Sequence, residues 1–109
     1  MAYDEVLADR IRSLVIRQRG FAEKRMFGGL GFLLHGNMCL GVWKECLILR
    51  IGLDAYQPAL ARPQVREFDV TGRPMRGWVM IDPTGLRRDS ELIDWANQAI
   101  DFVSGLPRR

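Results

Sequence analysis

Histidine and cysteine, the residues that most often build metal centres and nucleophilic sites, are nearly absent from this chain. It has one histidine, His35, and two cysteines, Cys39 and Cys46, among 109 residues. The spacing of the two thiols matches neither a CxxC redox pair nor a zinc knuckle. No motif places a general base beside either thiol, so nucleophilic catalysis lacks a partner group. We therefore predict free thiols, no metal, no cofactor, no catalytic residues and no enzymatic activity.

Long hydrophobic runs are also missing. No stretch of about 18 apolar residues occurs, so the sequence contains no candidate for a membrane-spanning helix. The opening residues MAYDE are acidic and lead into no apolar run of the kind found in secretory signals. We therefore expect a cytoplasmic protein without membrane contact. With 48% hydrophobic residues, the chain is expected to form one domain, 1–109, with its own core.

Lysine is scarce, since 14 of the 16 basic residues are arginine, and the net charge is only +3. Such a mildly basic chain gives little support by charge alone to nucleic-acid binding. Several arginines nevertheless flank the apolar stripe of the first predicted helix, where they either bind an anionic partner or cover the edge of the core with their stems. A nucleic-acid-binding surface, the alternative function, would combine Arg10, Arg12, Arg17, Arg19, Arg73 and Arg76.

Hydrophobic periodicity predicts a helix at each end of the chain and two groups of strands between them. Glycine, proline and asparagine mark the turns. The predicted helices are 4–18, 54–61 and 90–103, the predicted strands are 24–34, 38–43, 46–51, 67–70 and 77–82, and residues 106–109 form a tail. The order α-β-β-β-α-β-β-α predicts a two-layer α+β domain whose antiparallel sheet carries the helices on one face.

A two-residue loop at Lys44-Glu45 fixes the predicted register of the central hairpin. It aligns six apolar side chains beneath the helices, namely Met38, Leu40, Val42, Leu47, Leu49 and Ile51. The same parity, continued through the turn near Gly36, places Gly29, Gly31 and Leu33 with them. It assigns a second apolar set to the opposite face, namely Leu30, Phe32, Leu34, Trp43 and Ile48. Either a bulge at Gly28-Gly29 shifts this register, or a second copy of the chain covers the face and forms a homodimer.

The loop before the last strand is the best candidate for a functional surface, because it combines two arginines with methionine and tryptophan. Arginine and aromatic residues are typical of binding hot spots. The alternative is that Trp78 is a core residue and the arginines pair with Glu67, Asp69 or Asp82. The predicted interaction surface consists of Arg73, Met75, Arg76 and Trp78, with Phe32, Trp43 and Ile48 from the uncovered sheet face.

Four short motifs together resemble the N-terminal domain of the TfoX/Sxy family. They are RMFGGL at 25–30, GNM at 36–38, LRIG at 49–52 and TGRPMRGW at 71–78. The two ends of the chain, MAYDEVLA at 1–8 and FVSGLP at 102–107, are similar to those of short family members. The chain is thus identified as a stand-alone member, and the likeness covers nearly its whole length.

The resemblance implies a two-layer α+β fold with an antiparallel sheet. Longer members regulate competence for DNA uptake in bacteria, together with the cyclic-AMP receptor protein, and carry a further C-terminal helical domain. The family supplies no catalytic residues. The resemblance therefore implies a non-enzymatic binding or regulatory module that acts through protein contacts, with a protein partner such as a transcription factor.

Overall fold

The computed structural model describes residues 3–26 and 28–109; Met1, Ala2 and Phe27, which belong to the motifs quoted above, lie outside the described residues. Helices and strands alternate as the sequence predicts, in a mixed α+β fold. The elements are α1 (Glu5–Val15), β1 (Phe21–Met26), β2 (Gly29–Leu34), β3 (Asn37–Trp43), β4 (Cys46–Arg50), α2 (Leu53–Leu60), β5 (Val65–Glu67), β6 (Trp78–Ile81) and α3 (Asp89–Ser104), with a 3-10 turn at Pro83–Gly85.

The helix starts follow from local capping. The side chain of Asp4, the N-cap residue of α1, accepts a hydrogen bond of 3.0 Å from the Leu7 backbone N–H. Helix α3 begins after Arg88, one residue earlier than predicted, and the Glu91 carboxylate accepts a bond of 3.0 Å from the Arg88 N–H. Helix α2 begins at Leu53, one residue before its predicted start, and Gly52 occupies the N-cap position.

The single strand predicted over 24–34 is in fact the hairpin of β1 and β2. The sheet therefore has six strands among the described residues, in the spatial order β1-β2-β3-β4-β6-β5, and each neighbouring pair is antiparallel. Strand β1 lies at one edge, and its residues 22–25 are exposed. Strand β5 at the other edge is centred two residues before the predicted strand, so Phe68 begins a loop.

The predicted register of the central hairpin is confirmed where β3 meets β4. Leu40 lies opposite Leu49 and Val42 opposite Leu47. All four side chains are fully buried beneath the helices.

A β-bulge at Cys39 interrupts the pairing of β3 with β2. Phe32 lies opposite Leu40 and Leu33 opposite Met38, so Cys39 has no counterpart on β2. Cys39 and Leu40 consequently both belong to the core on the helix side. The extra residue turns Met38 to the opposite face, so its predicted place beneath the helices is wrong.

The same bulge exchanges the two faces of β2 relative to the prediction. Leu30, Phe32 and Leu34 are buried in the helix-side core, and Phe32 is only 1% exposed. Gly31 lies on the other face, where a Cβ atom would meet Met38. The predicted positions were wrong because a bulge reverses parity for all residues on the far side of it. The hairpin turn at His35-Gly36 lies where expected, with φ angles of 50° and 85° that suit a type I′ turn.

The sheet face that carries no helix is called the open face below. The segment 68–77, called the covering loop, lies over part of it and packs Phe68 and Met75 against the sheet. At the far end of the sheet, the last residues contact the β2–β3 turn: Asn37 Nδ2 donates to the Pro107 carbonyl at 2.8 Å, and the Arg109 N–H donates to the His35 carbonyl at 2.9 Å. Across residues 3–26 and 28–109, no helix has the length and hydropathy needed to cross a membrane.

Candidate interaction surface on the open face

The chain itself covers part of the open face. Phe68 from the covering loop forms a buried cluster with Cys46, Ile48 and Met80. The loop closes on itself through the Met75 N–H, which donates to the Phe68 carbonyl at 3.0 Å. The register shift offered as one explanation for the second apolar face occurs at Cys39 and not at Gly28-Gly29, and the covering loop supplies part of the cover expected from a second copy.

The uncovered part of this face is a small apolar groove beside the loop. Its accessible walls are half-buried side chains of Met26, Met38, Trp43, Met75 and Trp78. The cavity they enclose measures about 40 Å³.

Two glycines form the floor between the methionines. A Cβ atom at Gly31 would lie 2.9 Å from the Met38 Sδ and 3.2 Å from the Met26 Cε. A Cβ atom at Gly41 would lie 3.2 Å from the Met38 Cε. The absence of these side chains lets the two methionines lie across the strands.

A cation lies over each tryptophan that lines the groove. Lys44 Nζ is 4.7 Å from the centroid of the Trp43 ring, and Arg50 Cζ is 5.4 Å from that of Trp78. Both distances fall within the range of cation–π attraction. Each aromatic wall of the groove therefore has a positive charge over its ring.

The arginines of the covering loop are not neutralised. Arg73 and Arg76 are exposed, and within residues 3–26 and 28–109 neither forms an ion pair. The expected alternative, pairing with Glu67, Asp69 or Asp82, is therefore wrong for both. Asp82 instead pairs with Arg66 at 2.9 Å.

The structure brings most of the predicted interaction residues together. Trp43, Ile48, Met75 and Trp78 belong to one cluster on the open face, and Arg73 and Arg76 lie in the loop that covers it. Phe32 does not belong there, since the bulge places it in the helix-side core. Sequence reasoning missed the groove residues Met26 and Met38 and the two cations over its tryptophans, Lys44 and Arg50. The two methionines could have been found by alternation only if the bulge had been known.

Neither thiol has the environment of a nucleophile. Burial raises the pKa of Cys39 to about 12, against a smaller opposing effect of Arg50. Burial also raises the pKa of Cys46, although Arg66 Nη2 donates to its sulfur at 3.3 Å. A reactive cysteine needs a lowered pKa. Both cysteines are free, and the described residues contain no cluster of histidine, cysteine and carboxylate side chains that could hold a metal.

Two arginines of the predicted basic helix are engaged within the chain. Arg10 donates to the Leu86 carbonyl at 2.7 Å and pairs with Asp89 at 3.2 Å. Arg12 forms a two-point pair with Glu23, at 2.7 and 2.9 Å, which lowers the pKa of that carboxyl. Helix α1 packs on the helix side of the sheet, away from the covering loop. The six arginines of the nucleic-acid alternative therefore do not form one continuous surface.

Comparison with known proteins gives one finding. Residues 14–103 match the family model described as the TfoX N-terminal domain. The matched span includes all six strands, α2, the covering loop and nearly all of α3. No curated protein and no solved structure matches the chain.

Proposed function

This chain belongs to the family of TfoX N-terminal domains, and from that premise we propose that it is a non-enzymatic regulatory module acting through protein contacts made by the open face. Two points support the proposal. The family is one of regulators, and the open face has the residue composition of a protein interface. A cytoplasmic location and self-association stay predictions.

The observation that carries the proposal is the apolar groove with its unpaired cations. Methionine and tryptophan side chains that are half exposed, and not packed away, are typical of surfaces that adapt to a protein partner. Burial raises the pKa of both thiols, which argues against nucleophilic catalysis. The groove is also far smaller than the roughly 300 Å³ at which substrate pockets begin.

Direct nucleic-acid binding is the second candidate, and its support is weaker. It needs a continuous basic surface that tracks the phosphate backbone. Arg10 and Arg12 are held by carboxylates within the chain, on the other side of the sheet from Arg73 and Arg76. A duplex oligonucleotide titration at low and at physiological salt tests this candidate, since true phosphate contact weakens steeply with added salt.

Site-specific photo-crosslinking in the native cell tests the proposal directly. A benzophenone amino acid placed at Met75 reports what contacts the groove. The matched control is the same group at Ile93, which is 39% exposed and lies on α3. We expect a discrete protein adduct from Met75 and none from Ile93. Adducts with nucleic acid alone, or equal adducts from the two positions, would contradict the proposal.

A further inference from the structure

The groove on the open face has the dimensions of a peptide site. Its cavity of about 40 Å³ has room for a water molecule or two, whereas a bound metabolite needs several hundred cubic ångströms. The covering loop packs on β4, so the open strip runs from β1 to β3 and spans about 10 Å between its outer strands at the usual strand spacing. An α-helix with its side chains is about 10–12 Å across, so this strip of sheet accommodates one helical segment.

The rim of the groove is positive. Lys24 lies opposite Gly31 on the open face of β1, and Lys44 and Arg50 lie over the two tryptophans. None of these three cations forms an ion pair within residues 3–26 and 28–109. Asp82, at the end of β6, is paired with Arg66, and within residues 3–26 and 28–109 neither Glu45 nor Asp69 forms an ion pair with a rim cation.

A second copy of the chain does not complement this face. Two copies related by two-fold symmetry would use the same patch twice, so both would bring this positive rim to their interface. Like charges brought together at an interface oppose binding. The complementary occupant has carboxylates where this rim has cations, and apolar side chains where this groove has methionine.

We propose that the groove binds an acidic amphipathic segment of another protein, with its apolar side chains against Met26, Met38 and Met75 and its carboxylates toward Lys24, Lys44 and Arg50. This rests on the proposed function and names the chemistry of the partner. Methionine, unbranched and polarisable, suits such a site because it repacks around different apolar side chains. The flanking cations set the orientation and favour acidic over basic segments.

A synthetic helix tests the chemistry. The probe is a fluorescein-labelled peptide of about 18 residues with leucine on one face and glutamate on the other, a length of about five turns. One control peptide has lysine in place of glutamate, and a second has serine in place of leucine. In fluorescence anisotropy, we expect the acidic amphipathic peptide to bind at least about tenfold more tightly than either control. Equal binding of the acidic and basic peptides, or no binding of the acidic peptide at millimolar concentration, would overturn the proposal.

Variants locate the site. Met38→Glu places a carboxylate in the groove, and Lys24→Glu reverses a rim charge. Each substitution should raise the dissociation constant of the acidic peptide about tenfold. Arg17→Glu makes the same charge change as Lys24→Glu at an exposed position after α1, and should leave binding unaltered. Circular dichroism confirms that each variant is folded. If Arg17→Glu weakens binding of the peptide as much as Lys24→Glu does, the peptide responds only to the net charge of the protein, and the proposed site is refuted.

The lysine content gives a second, independent readout. Lys24 and Lys44 are the only lysines in the sequence, and both lie at this rim. A carbodiimide activates a carboxylate, and an amine in contact with it then displaces the reagent as a urea, so that an amide forms with no spacer between the two groups. We expect peptide adducts at Lys24 and Lys44 by mass spectrometry; adducts confined to the N-terminal amine would refute the docking mode.

The outcomes separate this inference from the proposed function. A protein adduct from Met75 in cells, with no binding of the acidic peptide, refutes the acidic segment and leaves the protein-contact module standing. A dimer in light scattering that Met38→Glu dissociates assigns the groove to a second copy. Duplex DNA that competes with the peptide and loses affinity in Lys24→Glu assigns it to nucleic acid. Either of the last two results overturns the inference.

Discussion

Ionisation of Cys39 should make the free energy of unfolding decrease as the pH rises above 9. The thiol is fully buried, and burial raises its pKa from an ordinary value of 9.0 to about 12. The unfolded chain therefore releases this proton near pH 9, whereas the folded chain holds it until about pH 12. Since the unfolded state binds fewer protons within that window, stability falls with rising pH. One unit into the window, at pH 10, the loss relative to pH 7 is about 1 kcal/mol.

Urea unfolding at pH 7 and pH 10 measures this effect as a difference between variants. Cys39→Ala removes the titrating group, so the gap in unfolding free energy between the natural chain and this variant should shrink by about 1 kcal/mol at the higher pH. Val42→Ala serves as the control, because Val42 is also fully buried on β3 but does not titrate. Its gap should be the same at both pH values. A pH-independent gap for Cys39→Ala would mean that the thiol is not in the core, and would refute the bulge.

Two further comparisons test the faces of the sheet and the backbone. Phe32→Ala should destabilise the fold by about 3–5 kcal/mol, because the ring is fully buried. Met38→Ala should cost less than half as much, because its side chain is half exposed. Similar losses of unfolding free energy in urea would contradict the exchanged faces. Gly72→Ala should cost about 1–2 kcal/mol for its φ of 97° alone. Gly52→Ala should reduce the free energy of unfolding by more, because its φ is also positive, at 85°, and an added Cβ would overlap the Phe102 ring. At Gly72 nothing lies within 4 Å of such a Cβ. Equal melting temperatures of the two variants would contradict this packing.

The parts of the fold that could be predicted are those in which the spacing of apolar residues fits only one kind of secondary structure. Apolar spacing of three and four residues located the helices that end near Val15 and Val103. The β3–β4 hairpin was predictable because two alternating strands flank a loop of only two residues, Lys44-Glu45. A shift of one residue there would have exposed Leu40 and Val42, so a single register satisfied the pattern.

The bulge could not be read from the sequence. Cys39 and Leu40 are both apolar, so either parity buries a hydrophobic side chain, and alternation cannot reveal the extra residue. The error then spread to Phe32, which was assigned to the interaction surface, and to Met38, which was assigned to the core. The start of the covering loop was predicted as a strand for a different reason, because Phe68 and Val70 alternate with a polar residue as strand residues do, although neither pairs in the sheet.

The candidate surface was found in part because residue type alone pointed to it. Met75 and Trp78 stood out as large side chains close to arginines, whereas Trp43 was selected from the alternation of its strand. The groove itself required the faces to be known, since Met26 and Met38 come from separate strands and meet only above Gly31. A binding surface assembled across a sheet is thus harder to infer than one contained in a single loop.

The charged edge strand β1 bears on how this protein behaves at high concentration. An outermost strand offers unused backbone donors and acceptors, which can recruit strands of other molecules into fibrils. Glu23, Lys24 and Arg25 occupy the middle of β1 and are exposed, so an incoming strand would have to bring its own side chains against three consecutive charges. The opposite edge, β5, is only three residues long. Both edges of the sheet thus disfavour pairing with strands of other molecules, and the methionine-lined groove is left as the surface on which another chain can bind.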